Sequence, residues 1–265
     1  MSSRYLIITL AAPIASFGEL AGHERRGGRE RPGKAAIIGI VGAALGIRRD
    51  NQEGQEALRT GYDVAVRVDN PGTAMQDFHT AMYVPTARIK RPRTRALALQ
   101  ALKAKDNPEI TRRDYRMDVS YRVAIEAMPD ARWSLEELAS SFERPQFALY
   151  LGRKSCPLSL PFDPWIVDAD DILQALQSGD DRAGAEKRQR LLENAISKGR
   201  SPPYAAVTAS TFHDRLARKP NQTPRIERVN DEPIDRLRWH FTERREAVLR
   251  LPGEPSPKRE GEGQQ

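Results

Sequence analysis

The sequence predicts an α+β fold of the ferredoxin-like type: a βαββαβ core with a long insertion and a C-terminal extension. Three observations predict it. First, Tyr62–Asp69 (YDVAVRVD) and Met117–Ala127 (MDVSYRVAIEA) alternate apolar and polar residues, as half-buried strands do. Second, two short apolar runs, Tyr5–Leu10 (YLIITL) and Phe147–Gly152 (FALYLG), read as a first and a last strand. Third, a helical stretch lies after the first strand and another before the last, which gives the order strand, helix, strand, strand, helix, strand.

The first run is β-branched at Ile7, Ile8 and Thr9 and leads into polar, glycine-rich sequence. A buried strand fits this better than a secretory signal, although Arg4 and the small residues after the run mimic one. Lys34–Ile47 reads as a helix, and because Ala35–Ile47 lacks charge all round it is expected to be buried on most sides. Gly39, Gly42 and Gly46 each lower helicity by about 1 kcal/mol against alanine, which makes sense where a helix packs closely on its neighbours. The second helix opens with Ser134 and has Glu137 three residues later, the capping-box pattern. Leu135, Leu138 and Phe142 then share one face.

Between the second and third strands lies an insertion, residues 70–116, rich in arginine and lysine. Long insertions in compact domains are functional or disordered, and both readings stay open here. Beyond Pro164 the chain changes character. Residues 165–251 are expected to complete the fold, after a core spanning 1–164. Within that region 168–198 is highly charged, Tyr204–Phe212 reads as a strand, and Trp239 and Phe241 read as packing anchors. The tail, 252–265, is Pro, Gly, Glu and Gln and is expected to be disordered.

The chain has 265 residues, 39% hydrophobic and 30% charged, with a formal net charge of +7. That balance suits a polyanionic partner. The single cysteine, Cys156, cannot form an intrachain disulfide, which fits a reducing, intracellular setting. No apolar stretch reaches the ~18 residues of a membrane span, so no membrane partner and a cytoplasmic location are expected.

Gly28, Gly33 and Lys34 match part of the phosphate-loop signature. The match fails chemically: Ala35 has no hydroxyl for magnesium, and the preceding residues are not a strand. His23, His79, His213 and His240 show no metal-ligand spacing, and no metal or cofactor is expected. Cations do cluster. Arg25, Arg26, Arg29, Arg31 and Lys34 precede the first helix. Arg88, Lys90, Arg91 and Arg93 follow His79 in the insertion. Arg153 and Lys154 follow Tyr150. Cations neutralise phosphates and aromatics such as Phe78, Tyr83, Tyr115 and Tyr150 stack exposed bases, so these residues form a candidate site for single-stranded RNA. His79, Tyr83 and Lys90 could instead supply a base, an acid and a cation for metal-free RNA cleavage, but no spacing pins that constellation. A basic structural module that touches RNA only incidentally is a third reading.

Six stretches carry a family resemblance: YLIITLAAPIASFGE, RPGKAAIIGIVGAALGIRRD, DFHTA, TRRDYRMDVSYRVAI, YLGRKSCPLSLPF and, more weakly, NDEPIDRLRWHFTERRE. Together they cover most of residues 4–165 and part of the C-terminal region. The chain resembles the type I-E branch of the CRISPR-associated protein family five, within the RAMP superfamily, whose members are Cascade subunits. It departs from the pattern at Ala35-Ala36, where the family has Ser-Gly, and at the extra segment 168–198. The resemblance implies an RRM-like RAMP core with a thumb at 70–116, and a non-catalytic role. Such a subunit holds the 5′ handle of the CRISPR RNA and caps the filament of the backbone subunit CasC. The large subunit CasA docks nearby, and target DNA is met only through the assembled complex. Relatives in another subtype cut RNA with His, Lys and Tyr residues.

Overall fold

A computed structural model describes residues 2–18, 24–103, 106, 108–178, 190, 206–209, 225–236, 238 and 240–250. His23, Tyr204, Phe212, His213, Trp239, most of 168–198 and the tail lie outside them.

The molecule is a mixed α+β structure built on one central sheet. Its middle strand pair is β1 (Ser3–Ala15) and β7 (Glu109–Ala127), antiparallel from Tyr5↔Glu126 to Ala15↔Arg116. β5 (Tyr62–Asn70) runs along the other side of β7 and β8 (Trp165–Ala169) along the other side of β1, both antiparallel. Three C-terminal strands extend the β5 side: β9 (Ala206–Ala209), β11 (His240–Arg250) and β10 (Arg225–Asp235).

Both faces of β1 are buried, which explains why its sequence is a continuous apolar run. Leu6, Ile8 and Leu10 enter a core with Val64, Val66 and Val68 of β5 and Val119, Tyr121, Val123 and Ile125 of β7. Over that core lie α1 (Lys34–Leu45), α2 (Gln52–Gly61) and α4 (Leu135–Glu143). Tyr5 and Ile7, one residue out of phase, face the opposite side, where α5 (Ile172–Gln177) contributes Ile172, Leu173 and Leu176. The close helix packing expected of the glycines is found at Gly42, where an added Cβ would stand 3.0 Å from Leu58 Cδ1.

Two expectations need correction. Phe147–Gly152 is not a strand; its only ladder contact is the isolated bridge Tyr150↔Pro157. Its backbone is committed elsewhere. Phe147 N–H donates to Ala43 O at the end of α1, Leu151 O accepts from Ser16 N–H, and Gly152 turns at φ +88°. The place beside β1 is taken by β8, WIVDA, after Pro164. In addition, the first helix ends at Leu45, because Gly46 adopts the left-handed conformation at φ +78°, and a separate helix, α2, follows.

The insertion is an arm. The first half of β7 leaves the core and pairs with β6 (Thr73–Ala81), from Thr73↔Met117 to Ala81↔Glu109. The connection between them holds the short α3 (Arg95–Gln100). On the arm's other edge β3 (Arg25–Arg26) runs parallel to β7, with Arg25 opposite Arg112 and Arg26 opposite Arg113. β2 (Phe17–Gly18) and β4 (Gly28–Arg29) form a small separate pair.

Candidate nucleic-acid interface

A cleft of about 370 Å³ opens at the root of the arm. The end of β1 (Ala15, Ser16), the basic loop (Arg25, Gly28, Arg29), and the arm's first residues (Gln76, Asp114, Tyr115, Arg116) line it. The loop comes close: a Cβ at Gly28 would lie 3.3 Å from Asp114 O. Asp114 ties the walls together. It accepts from Gln76 Nε2 at 3.0 Å and from Arg25 Nη2 at 2.9 Å, and these contacts hold its carboxyl below the usual range. Ser16 Oγ donates to Asp114 O at 2.9 Å.

The sequence-predicted cations divide into three groups. Some face outward. Arg25 keeps 67% of its side chain exposed despite Asp114, and an exposed pair of that kind is worth little. Arg26 and Lys154 are exposed and have no ion pair among the described residues. Arg153, partly buried, lies over the Tyr115 ring at 4.9 Å and donates to its hydroxyl at 3.0 Å, beside the cleft. Tyr150 is half-buried at the start of the same loop.

A second group is turned inward. Arg29 and Arg31, at 14% and 15% side-chain exposure, pair with carboxylates of the β10–β11 hairpin. Lys34 is buried in the first turn of α1. The positive end of that helix, where an anion would bind, is approached by an internal carboxylate: Asp231 Oδ2 stands only 1.9 Å from where a Cβ at Gly33 would be. Lys34, Arg153 and Lys154 thus have different surroundings: the first is buried, the second partly buried and the third exposed.

The third group lies on the arm. Arg88 is bound by Asp106, whose carboxyl is lowered to about 2 by that hydrogen bond and by the Lys103 N–H. His79, Lys90, Arg91 and Arg93 are exposed. So is Tyr83, at 62%. No described contact joins His79, Tyr83 and Lys90 into a catalytic constellation. Reasoning from sequence passed over Arg112, whose guanidinium lies 5.9 Å over the ring of Phe78, itself 56% exposed. Register puts this pair on the arm face that carries Arg25. Alternation within TRRDYR was the available signal.

Comparison with known proteins agrees with this architecture. A profile described as CRISPR-associated protein (Cas_Cas5) matches residues 5–246. The chain is 31% identical over 180 residues to the CRISPR system Cascade subunit CasD of Escherichia coli (strain K12), covering 65% of this chain and 75% of that one. A chain of a solved CRISPR RNA-guided surveillance complex superposes with a TM-score of 0.56 at 20% identity, over 93% of this chain and 89% of its own. A solved Cas protein gives 0.52 at 23%, over 93% and 95%. A match to the family profile over nearly the whole described fold, with a curated relative above 30% identity, places this chain in the CRISPR-associated protein (Cas_Cas5) family.

Proposed function

We propose that this chain is a non-catalytic subunit of a type I-E Cascade complex that grips the 5′ handle of the CRISPR RNA and caps the backbone filament. One observation carries the RNA reading. Arg25 lines the cleft at the arm's root, Arg153 lies over Tyr115 in its wall, and Arg112 stands over the exposed Phe78 on the arm face that carries Arg25. Cations with an exposed aromatic ring suit unpaired RNA, whose bases stack and whose phosphates pair. Arg29 and Arg31 are left out of the phosphate-binding set because they pair with carboxylates of the hairpin, and Lys34 because it is buried. The arm takes the part of the thumb, between the handle and the neighbouring CasC subunit, with CasA nearby. The order β8-β1-β7-β5, all antiparallel with helices over one face, supports a ferredoxin-like RAMP core spanning about 1–169.

The test uses purified chain and end-labelled repeat RNA with EDTA present. Binding that weakens steeply with salt, with the RNA left intact, is expected. Cleavage abolished by His79→Ala would establish the endoribonuclease alternative of His79, Tyr83 and Lys90 instead. Salt-insensitive or absent binding would leave a purely structural module.

A further inference from the structure

Glu246 of β11 is 3% exposed and receives three guanidiniums: Arg31 at 2.6 Å, Arg244 at 2.6 Å and Arg29 at 3.4 Å. Asp231 of β10 takes Arg244 at 2.5 Å and Arg29 at 3.6 Å, and Glu227 takes Arg31 at 2.9 Å. Three guanidiniums meet three carboxylates here, and Arg225 reaches Glu227 from the solvent side, so each inward-facing charge has an opposite partner, the condition under which ions survive inside a protein. Arg29 and Arg31 come from the loop before α1; all three carboxylates come from a hairpin some two hundred residues later.

The same loop is fastened at its other end to β7 and the arm. Arg25 binds Asp114. The Tyr121 hydroxyl donates to Glu30 O at 2.7 Å, and Arg116 approaches the Glu30 carboxylate at 3.6 Å. Between these anchors lies Arg26, exposed and with no ion pair among the described residues. The loop is therefore a strap drawn from the arm to the C-terminal hairpin, crossing one wall of the cleft.

We propose that Glu246 is a positioning residue for RNA: by holding Arg29 and Arg31 on the hairpin it fixes the strap so that Arg25 and Arg26 present their charge to phosphate. This rests on the reading of the cleft as an RNA site. Glu246 itself touches no RNA; it acts through the loop. Its effect is therefore coupled to that of Arg26, whereas a carboxylate that merely stabilises the hairpin has an effect independent of Arg26.

The experiment compares wild type, Glu246→Gln, Arg26→Ala and the double variant, by equilibrium binding of labelled repeat RNA and by hydrogen exchange. Arg26→Ala is expected to weaken binding several-fold. Glu246→Gln is expected to weaken it about fivefold or more, and the double variant by clearly less than the product of the two. Exchange should rise across residues 24–33 in Glu246→Gln while 119–127 stays protected. Wild-type affinity in folded Glu246→Gln, or losses that simply multiply, overturns the positioning role while leaving the RNA site standing. Wild-type affinity in Arg26→Ala overturns the RNA site itself, and the positioning role with it. If Glu246→Gln does not fold, Arg31→Lys takes its place in the same cycle, because lysine keeps the charge but cannot fork between Glu227 and Glu246.

Discussion

Burial alone would raise the Glu246 carboxyl, but the charges of Arg244, Arg31 and Arg29 outweigh it and hold the group below its ordinary range. Glu227 is lowered in the same way by Arg31 and Arg225 against its burial. A carboxylate lowered in the folded state contributes stability that is complete above its unfolded value, about 4.3, and is lost as pH falls through the folded value. Wild type should therefore lose stability progressively below about pH 4, on the same linkage. Glu246→Gln should be less stable at neutral pH by about 3 kcal/mol, since it leaves buried guanidiniums short of charge, and should show a flatter acid limb. Urea melts of both proteins across pH 3–7, a window spanning roughly the ordinary carboxylate range, check this. None of this pairing was legible in the sequence. Arg25 and Arg26 look like Arg29 and Arg31 in a list of cations, and only the distant hairpin distinguishes them. Phe78 is a second single-residue test. Phe78→Ala should lower RNA affinity by about 1–3 kcal/mol, as for loss of one stacked base, and Phe78→Leu should not restore it. Full recovery with leucine would mean that an apolar contact, not stacking, is what matters there.

Among the elements, α4 was the most legible, because its signal is local. Ser134 Oγ accepts from Glu137 N–H while the Glu137 carboxylate accepts from Ser134 N–H, the reciprocal box that the spacing S-x-x-E predicts. Ser134→Ala should cost about 1 kcal/mol in urea denaturation, without effect on RNA binding. The strands of period two, β5 and β7, were legible for the same reason: side chains two residues apart share a face. Phe147–Gly152 has strand composition and no strand, because composition does not say which carbonyls a backbone N–H will find. Here Ala43 O and Ala44 O at the end of α1 claim Phe147 and Gln146. The arm was visible only as an insertion. Its hairpin, 73–81 against 109–117, carries exposed Phe78 and Ile110, and α3 in the connection carries exposed Leu97 and Leu99. Deuterium uptake there should fall on addition of RNA and the backbone subunit. Equal uptake in the free and assembled protein would count against a docking role for the arm.

At the scale of the molecule, the +7 charge pointed to a polyanion but could not say which cations meet it. Burial separates the cations that face solvent from those paired inside. Replacing Arg25, Arg26 and Lys154 together by alanine should flatten the slope of log affinity against log salt by about 2 units, from about 0.7 per phosphate contact on a single strand. Replacing Arg29, which pairs with Asp231 and Glu246, should instead lower the melting temperature. A triple variant with wild-type salt dependence would move the RNA path away from the arm's root.

β7 is nineteen residues long and belongs to core and arm alike. Asp118, at φ +58°, marks the point where it leaves one for the other. Gly72 is pressed there so closely that a Cβ would stand 2.1 Å from Met117 O, and β1 continues alongside as far as Arg116. In mechanical terms the arm is a cantilever with a built-in elbow, not a flap on a hinge. A load at its far end passes as torsion along a continuous hydrogen-bonded ribbon into the middle strands of the sheet. The reach and pitch of the arm are thus set by backbone geometry at residues 72 and 118.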